Sequence, residues 1–179
     1  MTHARGAWHS RSQRRALALA SALLSLAAFG CGGDGPLVPG MGSGSLTASG
    51  AVTASGSGLA VFQSVSSGGT SLFQIVIAPV SATTWQLQIA NYSGRLAAGT
   101  YNLTPLSPSS VNPTANFYYT SGSTMQQFNS TSGQLVITSS SSSKVSGTFT
   151  FTATDPAGIS SVAAQGSFSA QCAPGVTCQ

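Results

Sequence analysis

From Lys144 onward the chain alternates between apolar and polar positions. Val145, Gly147, Phe149, Phe151 and Ala153 fall on one side, and between them stand Lys144, Ser146 and the threonines Thr148, Thr150, Thr152 and Thr154. A second run does the same: Val162, Ala164, Gly166, Phe168, Ala170 and Cys172 alternate with Ala163, Gln165, Ser167, Ser169 and Gln171. A period of two over this length specifies strands with one dry and one wet face. Between the runs, Asp155-Pro156-Ala157-Gly158 supplies what a type I turn favours at its first, second and fourth positions. The pattern predicts an antiparallel hairpin whose dry face needs a partner sheet.

The same period, in shorter stretches, recurs upstream, and no helical period interrupts it. Leu46 to Val52 and Leu59 to Val65 read as strands. In the next, Phe73, Ile75 and Ile77 share a face, and Pro79 ends the run. Trp85, Leu87 and Ile89 alternate with Gln86 and Gln88. Gly99 to Leu103 is a short strand, and Thr104 to Pro113, with three prolines, marks a loop. Phe117-Tyr118-Tyr119 pairs with Met125 to Asn129 across Ser121-Gly122-Ser123, and Ser139 to Ser143 is a polar connection to the long hairpin. Nine or ten short strands with turn signals between them predict an all-β domain: an antiparallel β-sandwich or a flattened up-and-down barrel. The period is the same for both. The sandwich is favoured, because a barrel that holds a ligand carries more polar inward groups than this pattern provides.

Residues 1 to 30 read as an export signal rather than part of the fold. Arg5, Arg11, Arg14 and Arg15 precede an uncharged run, Ala16 to Phe29, shorter than the roughly 20 residues a membrane-spanning helix needs. Arg14-Arg15 without the rest of a twin-arginine motif does not establish that route. The run ends in Ala28-Phe29-Gly30-Cys31, which resembles the lipobox of bacterial lipoproteins. That resemblance implies cleavage before Cys31 and lipidation of its thiol, so that the bilayer is a partner. The alternative is plain secretion with Cys31 unmodified. The residue after the cysteine is Gly32 and not the Asp that retains some lipoproteins at the inner membrane, so the resemblance implies an outer-membrane address. Gly32 to Gly44 is dense in glycine and proline; thirteen such residues make a tether of about 20 Å average reach. The single domain is then Ser45 to Gln179.

Charge looks different once the leader is set aside. Four of the six basic residues and both histidines lie in it, and the pI of about 9.4 comes from there. From Cys31 on, only Asp34, Arg95, Lys144 and Asp155 are charged, and they sum to zero. A nucleic-acid partner needs a basic patch, and there is none. Two cysteines remain, Cys172 and Cys178; in an oxidising compartment they are expected to form a disulfide that closes a small loop and locks the C-terminus, worth about 2 kcal/mol.

Gly133-Gln134-Leu135-Val136-Ile137-Thr138, Val145 to Phe151 and Gln165-Gly166-Ser167-Phe168, with Gly99-Thr100-Tyr101 earlier, resemble a family of uncharacterised bacterial lipoprotein domains. The resemblance covers about half the domain. It implies fold and location, and brings no activity or site residue.

The mature chain, with no His and no Glu, cannot build a Ser-His-Asp triad, a Cys-His pair or a histidine metal site. Asp34 in the tether and Asp155 in a turn are not the facing pair a glycosidase needs, and no loop gathers the carboxylates calcium wants. Asp155 reads as a turn capper, Lys144 as a solvated strand guard and Arg95 as a loop charge. No enzyme activity, metal or cofactor is expected. Binding is the better class: Trp85, Tyr92, Tyr101, Tyr118 and Tyr119 offer aromatic surface to a glycan or a protein ligand. Trp85 shares its face with Leu87 and Ile89 and belongs in the core. If Phe117 and Tyr119 point inward, Tyr118 points out, and it is the candidate ligand-binding residue. The alternative is an envelope spacer without a specific ligand.

Overall fold

The computed structural model describes residues 41–80, 84–105 and 111–179. Cys31 and the tether up to residue 40 lie outside the described residues. The strands are β1 (Gly42–Gly50), β2 (Ala54–Ser67), β3 (Thr70–Ala78), β4 (Trp85–Asn91), β5 (Gly99–Asn102), β6 (Thr114–Ser121), β7 (Thr124–Ser140), β8 (Lys144–Thr154) and β9 (Ser161–Cys172). The all-β expectation holds. The first strand takes up Gly42 to Gly44, which the sequence had left in the tether. Ser139 and Ser140, read as a connection, belong to β7.

The sheet runs β5-β7-β6-β4-β3-β2-β1-β9-β8, and a further pairing of β7 with β8 closes it. Eight strands therefore make a closed antiparallel barrel rather than the favoured sandwich. The ladder is made mostly of chain neighbours: Gly68 and Gly69, both at positive φ, form the tight β2–β3 turn, and Gly122-Ser123 joins β6 to β7. The predicted Asp155 turn is present too, with the Gly158 amide donating to the Asp155 carbonyl at 2.9 Å. The dry face of the β8–β9 hairpin needed no second sheet. The same sheet curls round to cover it.

A barrel calls for inward polar groups only where its lumen holds a ligand. Here the lumen is filled by side chains: Phe62, Phe73, Phe117, Phe128, Leu135 and Ile137 are each at most 2 % exposed, as an eight-stranded barrel is just narrow enough to allow. Phe62 with Phe73, and Phe117 with Phe128, sit 6.1 Å apart as tilted ring pairs. Inward apolar positions thus serve a filled barrel as well as a sandwich.

Closure depends on β7. One of its edges pairs with β8 from Asn129 to Ser140, while the other carries β6 over Thr124–Asn129 and then β5 over Gln134–Ile137. Between those two partners the second edge has no strand, and a bulge between Ser130 and Ser132 falls there. Ser130 is fully buried. Its hydroxyl accepts from the Ala115 amide at 2.9 Å and donates to the Thr104 carbonyl at 2.8 Å, while the Leu103 amide reaches the Gly133 carbonyl at 2.9 Å. Ser130→Ala strips the buried Ala115 amide of this acceptor and removes a donor to the half-buried Thr104 carbonyl, so a loss of about 1–3 kcal/mol is expected, roughly that of one unsatisfied buried group. Denaturant midpoints of wild type and variant measure it. A loss under 0.5 kcal/mol would show that the gap in the edge is closed by something else.

The expected disulfide is formed between Cys172 and Cys178. It closes the loop where β9 runs past the start of β1 to meet β2 in a short parallel contact, Val61 to Gln171 and Phe62 to Cys172. The Ala173 amide donates to the Phe62 carbonyl at 2.8 Å and the Gln179 amide to that of Ser64 at 3.3 Å, so the C-terminus is laid along β2.

Candidate functional site

With the barrel filled, the side chains open to solvent are those of its outer face, and the sequence candidates sort accordingly. Trp85 is 3 % exposed and faces the core. Tyr101 and Tyr119 are half-buried and packed against it, and the Tyr101 hydroxyl donates to the Ala97 carbonyl at 2.9 Å. Tyr92 and Tyr118 are left on the outside. Phe117 is fully buried, and Tyr118 beside it points out between β4 and β7, in register with Gln86 on one side and Gln127 on the other.

The surroundings of Tyr118 are amides. In the adjacent row Asn116 stands between Gln88 and Asn129, and Gln127 donates through Nε2 to Asn129 Oδ1 at 2.8 Å. From the other side a relay runs across three strands: Gln63 Nε2 donates to Gln74 Oε1 at 3.2 Å, and Gln74 Nε2 to Gln88 Oε1 at 3.3 Å. The relay stops one strand short, because Asn116 Oδ1 is buried with no hydrogen-bond partner. A buried acceptor without a donor is costly, and this one lies next to the half-exposed phenol. The sequence reading noted Gln86 and Gln88 as a polar face but missed Asn116. The signal was its spacing of two from Tyr118, which puts both on one face.

Burial, first, and then the neighbouring Tyr92 hydroxyl push the Tyr118 phenol above its ordinary value. Asp155 is displaced the other way. The backbone amide of Ile159, 2.8 Å from its carboxylate, holds it below the usual range; desolvation opposes this, and further hydrogen bonds from Ser160 and Gly158 act with Ile159. That is a turn-capping carboxylate on an exposed loop. Arg95 and Lys144 are exposed, and Ser141, the hydroxyl next to Lys144, is bonded to the Lys144 main chain. Among the described residues no three of His, Cys, Asp and Glu gather to hold a metal, and no helix is long and apolar enough to cross a membrane.

These two shifts set the pH dependence. Asp155, lowered in the fold, stabilises fully above its unfolded value, and the contribution is lost as pH falls through the lower folded one, below about pH 4. Tyr118, raised, contributes fully up to its unfolded value, and this is lost as pH rises through the higher folded one, above about pH 10. The denaturant midpoint should therefore be flat from about pH 5 to pH 9. A change above about 1.4 kcal/mol in that window would mean a pKa displaced by a whole unit into it, and would reopen acid–base chemistry.

Residues 70–170 match the protein-family model described as a domain of unknown function, DUF6252. The match begins at the first residue of β3 and ends inside β9, so β1 and β2 stand before it. It spans all the segments in which the sequence resembled lipoprotein domains. No curated protein and no solved structure matches the chain.

Proposed function

The chain belongs to the DUF6252 family, which brings no activity with it, and on that premise we propose that it is a non-catalytic envelope lipoprotein that binds a neutral glycan through the Tyr118 face. The observation that carries this reading is a half-exposed tyrosine, Tyr118, in register with Gln86 and Gln127 and flanked by the amide row Gln88, Asn116 and Asn129. Aromatic rings take the apolar face of a sugar. Amides donate and accept at once, as vicinal hydroxyls require. No charged residue lies in the paired rows around Tyr118, Gln86 to Gln127 and Gln88 to Asn129, which favours a neutral ligand over an ionic one.

The anchor rests on the leader, through Gly30-Cys31 and the run before it. Two or more acyl chains on Cys31 exceed what stable membrane attachment needs. An outer-membrane location rests on Gly32.

The test is a glycan array probed with the exported protein, followed by mass spectrometry of its mature N-terminus. Saturable binding of a neutral glycan is expected, weakened about tenfold in Tyr118→Ala, equal to about 1.4 kcal/mol, and largely kept in Tyr118→Phe. An array without binding, or binding indifferent to Tyr118→Ala, sinks the ligand reading and leaves the spacer. An N-terminus that is not an acylated Cys31 sinks the anchor.

A further inference from the structure

We infer that a trough on another part of the barrel, across the outer face of β7, β8, β9 and β1, is a binding site for a neutral, hydroxyl-rich chain such as an oligosaccharide. It shares a ligand class with the Tyr118 reading but none of its residues, so the two stand or fall separately.

The trough is built from beneath. Gly44, Gly147 and Gly166 occupy inward positions on β1, β8 and β9, and core side chains lie where their own would be. The Phe149 ring lies 2.5 Å from where a Gly166 Cβ would stand, the Phe168 ring 3.0 Å from that of Gly147, and Ile77 Cγ2 2.7 Å from that of Gly44. The pairing sets glycines against large residues, Gly147 against Phe168 against Gly44, and Phe149 against Gly166 against Leu46. Glycine weakens a strand interior and marks close backbone approach. Here three neighbouring strands, with no side chains holding them off, sink toward the core. On the outside this leaves a depression of about 460 Å³ whose floor reaches Leu46, Phe149 and Gly166. That volume lies in the range of ligand sites, roughly 300–1,000 Å³.

The lining fixes the chemistry. Thr148, Ser167 and Ser45 stand in register on adjacent strands, and two residues along come Thr150, Gln165 and Thr47. The hydroxyl rows are about 4.8 Å apart between strands. Ser45 and Ser167 are bonded to each other at 3.1 Å; a hydroxyl has one donor and two acceptor positions, so the pair keeps unused capacity. No lining residue is charged, and the one aromatic among them, Phe149, is buried. An ionic ligand would find no counter-charge, and an apolar one would strand the hydroxyls. A neutral polyol chain matches both demands.

The test uses the exported full chain in detergent, titrated with neutral hexasaccharides of β-1,4-glucan, β-1,3-glucan and α-1,4-glucan. Ser167→Trp and, separately, Ser45→Phe fill the trough from outward positions without touching the core. At least one probe should bind with a Kd below 10 mM, and each filling variant should weaken it tenfold or more, while Tyr118→Ala leaves this binding in place. Backbone amide NMR of the wild type should show the perturbed signals at Ser45, Thr148, Gln165 and Ser167, which decides the matter even if a variant fails to fold. No binding by any probe, binding unchanged in both folded variants, or perturbations confined to the Tyr118 face would overturn the inference. Loss in Ser167→Trp with no effect of Tyr118→Ala would support the trough and leave the Tyr118 face to its own array test; loss in Tyr118→Ala with no effect of Ser167→Trp would overturn the trough.

Discussion

Gly166→Ala should destabilise the barrel by about 3 kcal/mol or more, at the upper end of what overpacking costs. The added Cβ would overlap the Ser45 carbonyl oxygen and stand 2.5 Å from the Phe149 ring tip. A ring tip can swing away, but the Ser45 carbonyl belongs to the β1–β9 ladder, where Ser45 pairs with Ser167. Relief then means opening that ladder. The double variant Gly166→Ala with Phe149→Leu separates the two contacts. It should recover little, since the obstacle is main chain, and it removes part of a core ring as well. Ser167→Ala, one residue along and facing out, should stay within about 0.5 kcal/mol. Chemical denaturation of the four proteins reads all of this, and a near-neutral Gly166→Ala would mean that β1 and β9 can part without cost. The trough would then have no rigid floor.

Much of this architecture is legible in the chain and some of it is not, and the division follows range. Alternation from Val145 to Cys172 reports local geometry, so the β8–β9 hairpin and its Asp155 turn could be read directly. Parity likewise told Phe117 from Tyr118. Whether the sheet closes is a matter of which distant strands meet, here Gly42–Gly50 with Ser161–Cys172. No local period carries that. The length of β7 was hidden for a related reason. Ser130-Thr131-Ser132-Gly133 has turn composition, yet the partner β8 holds it as bulged strand with Ser130 turned inward to fill a gap in the edge. The spacing of Asn116 from Tyr118 put it on that face, but its unpartnered oxygen had no local signal, because it depends on what Gln88 and Asn129, on other strands, fail to supply. The trough was illegible for the same reason: its three glycines are remote in sequence and become one feature only through register.

The fragment 70–170, the span matched by the family model, should not fold alone, whereas residues 41–179 should. Removing β1 and β2 takes out two adjacent staves, leaving β3 and β9 as open edges. Open edges invite pairing with other chains. The core loses Leu46, Ala60 and Phe62, and the remaining Phe73, Ile75, Ile77 and Phe168 face the breach. Burying a side chain of that size is worth about 1.5–3 kcal/mol, against a total stability of about 5–15 kcal/mol for a whole domain, so the loss exceeds what is available. The fragment also lacks Cys172 and Cys178, and with them the loop that ties the C-terminus along β2. Aggregation or a collapsed two-dimensional amide NMR spectrum is expected for 70–170, with dispersed signals and one cooperative transition for 41–179. A cooperative transition in the shorter piece would mean that its seven strands can close without β1 and β2. The filled eight-stranded lumen would then not be the unit of folding.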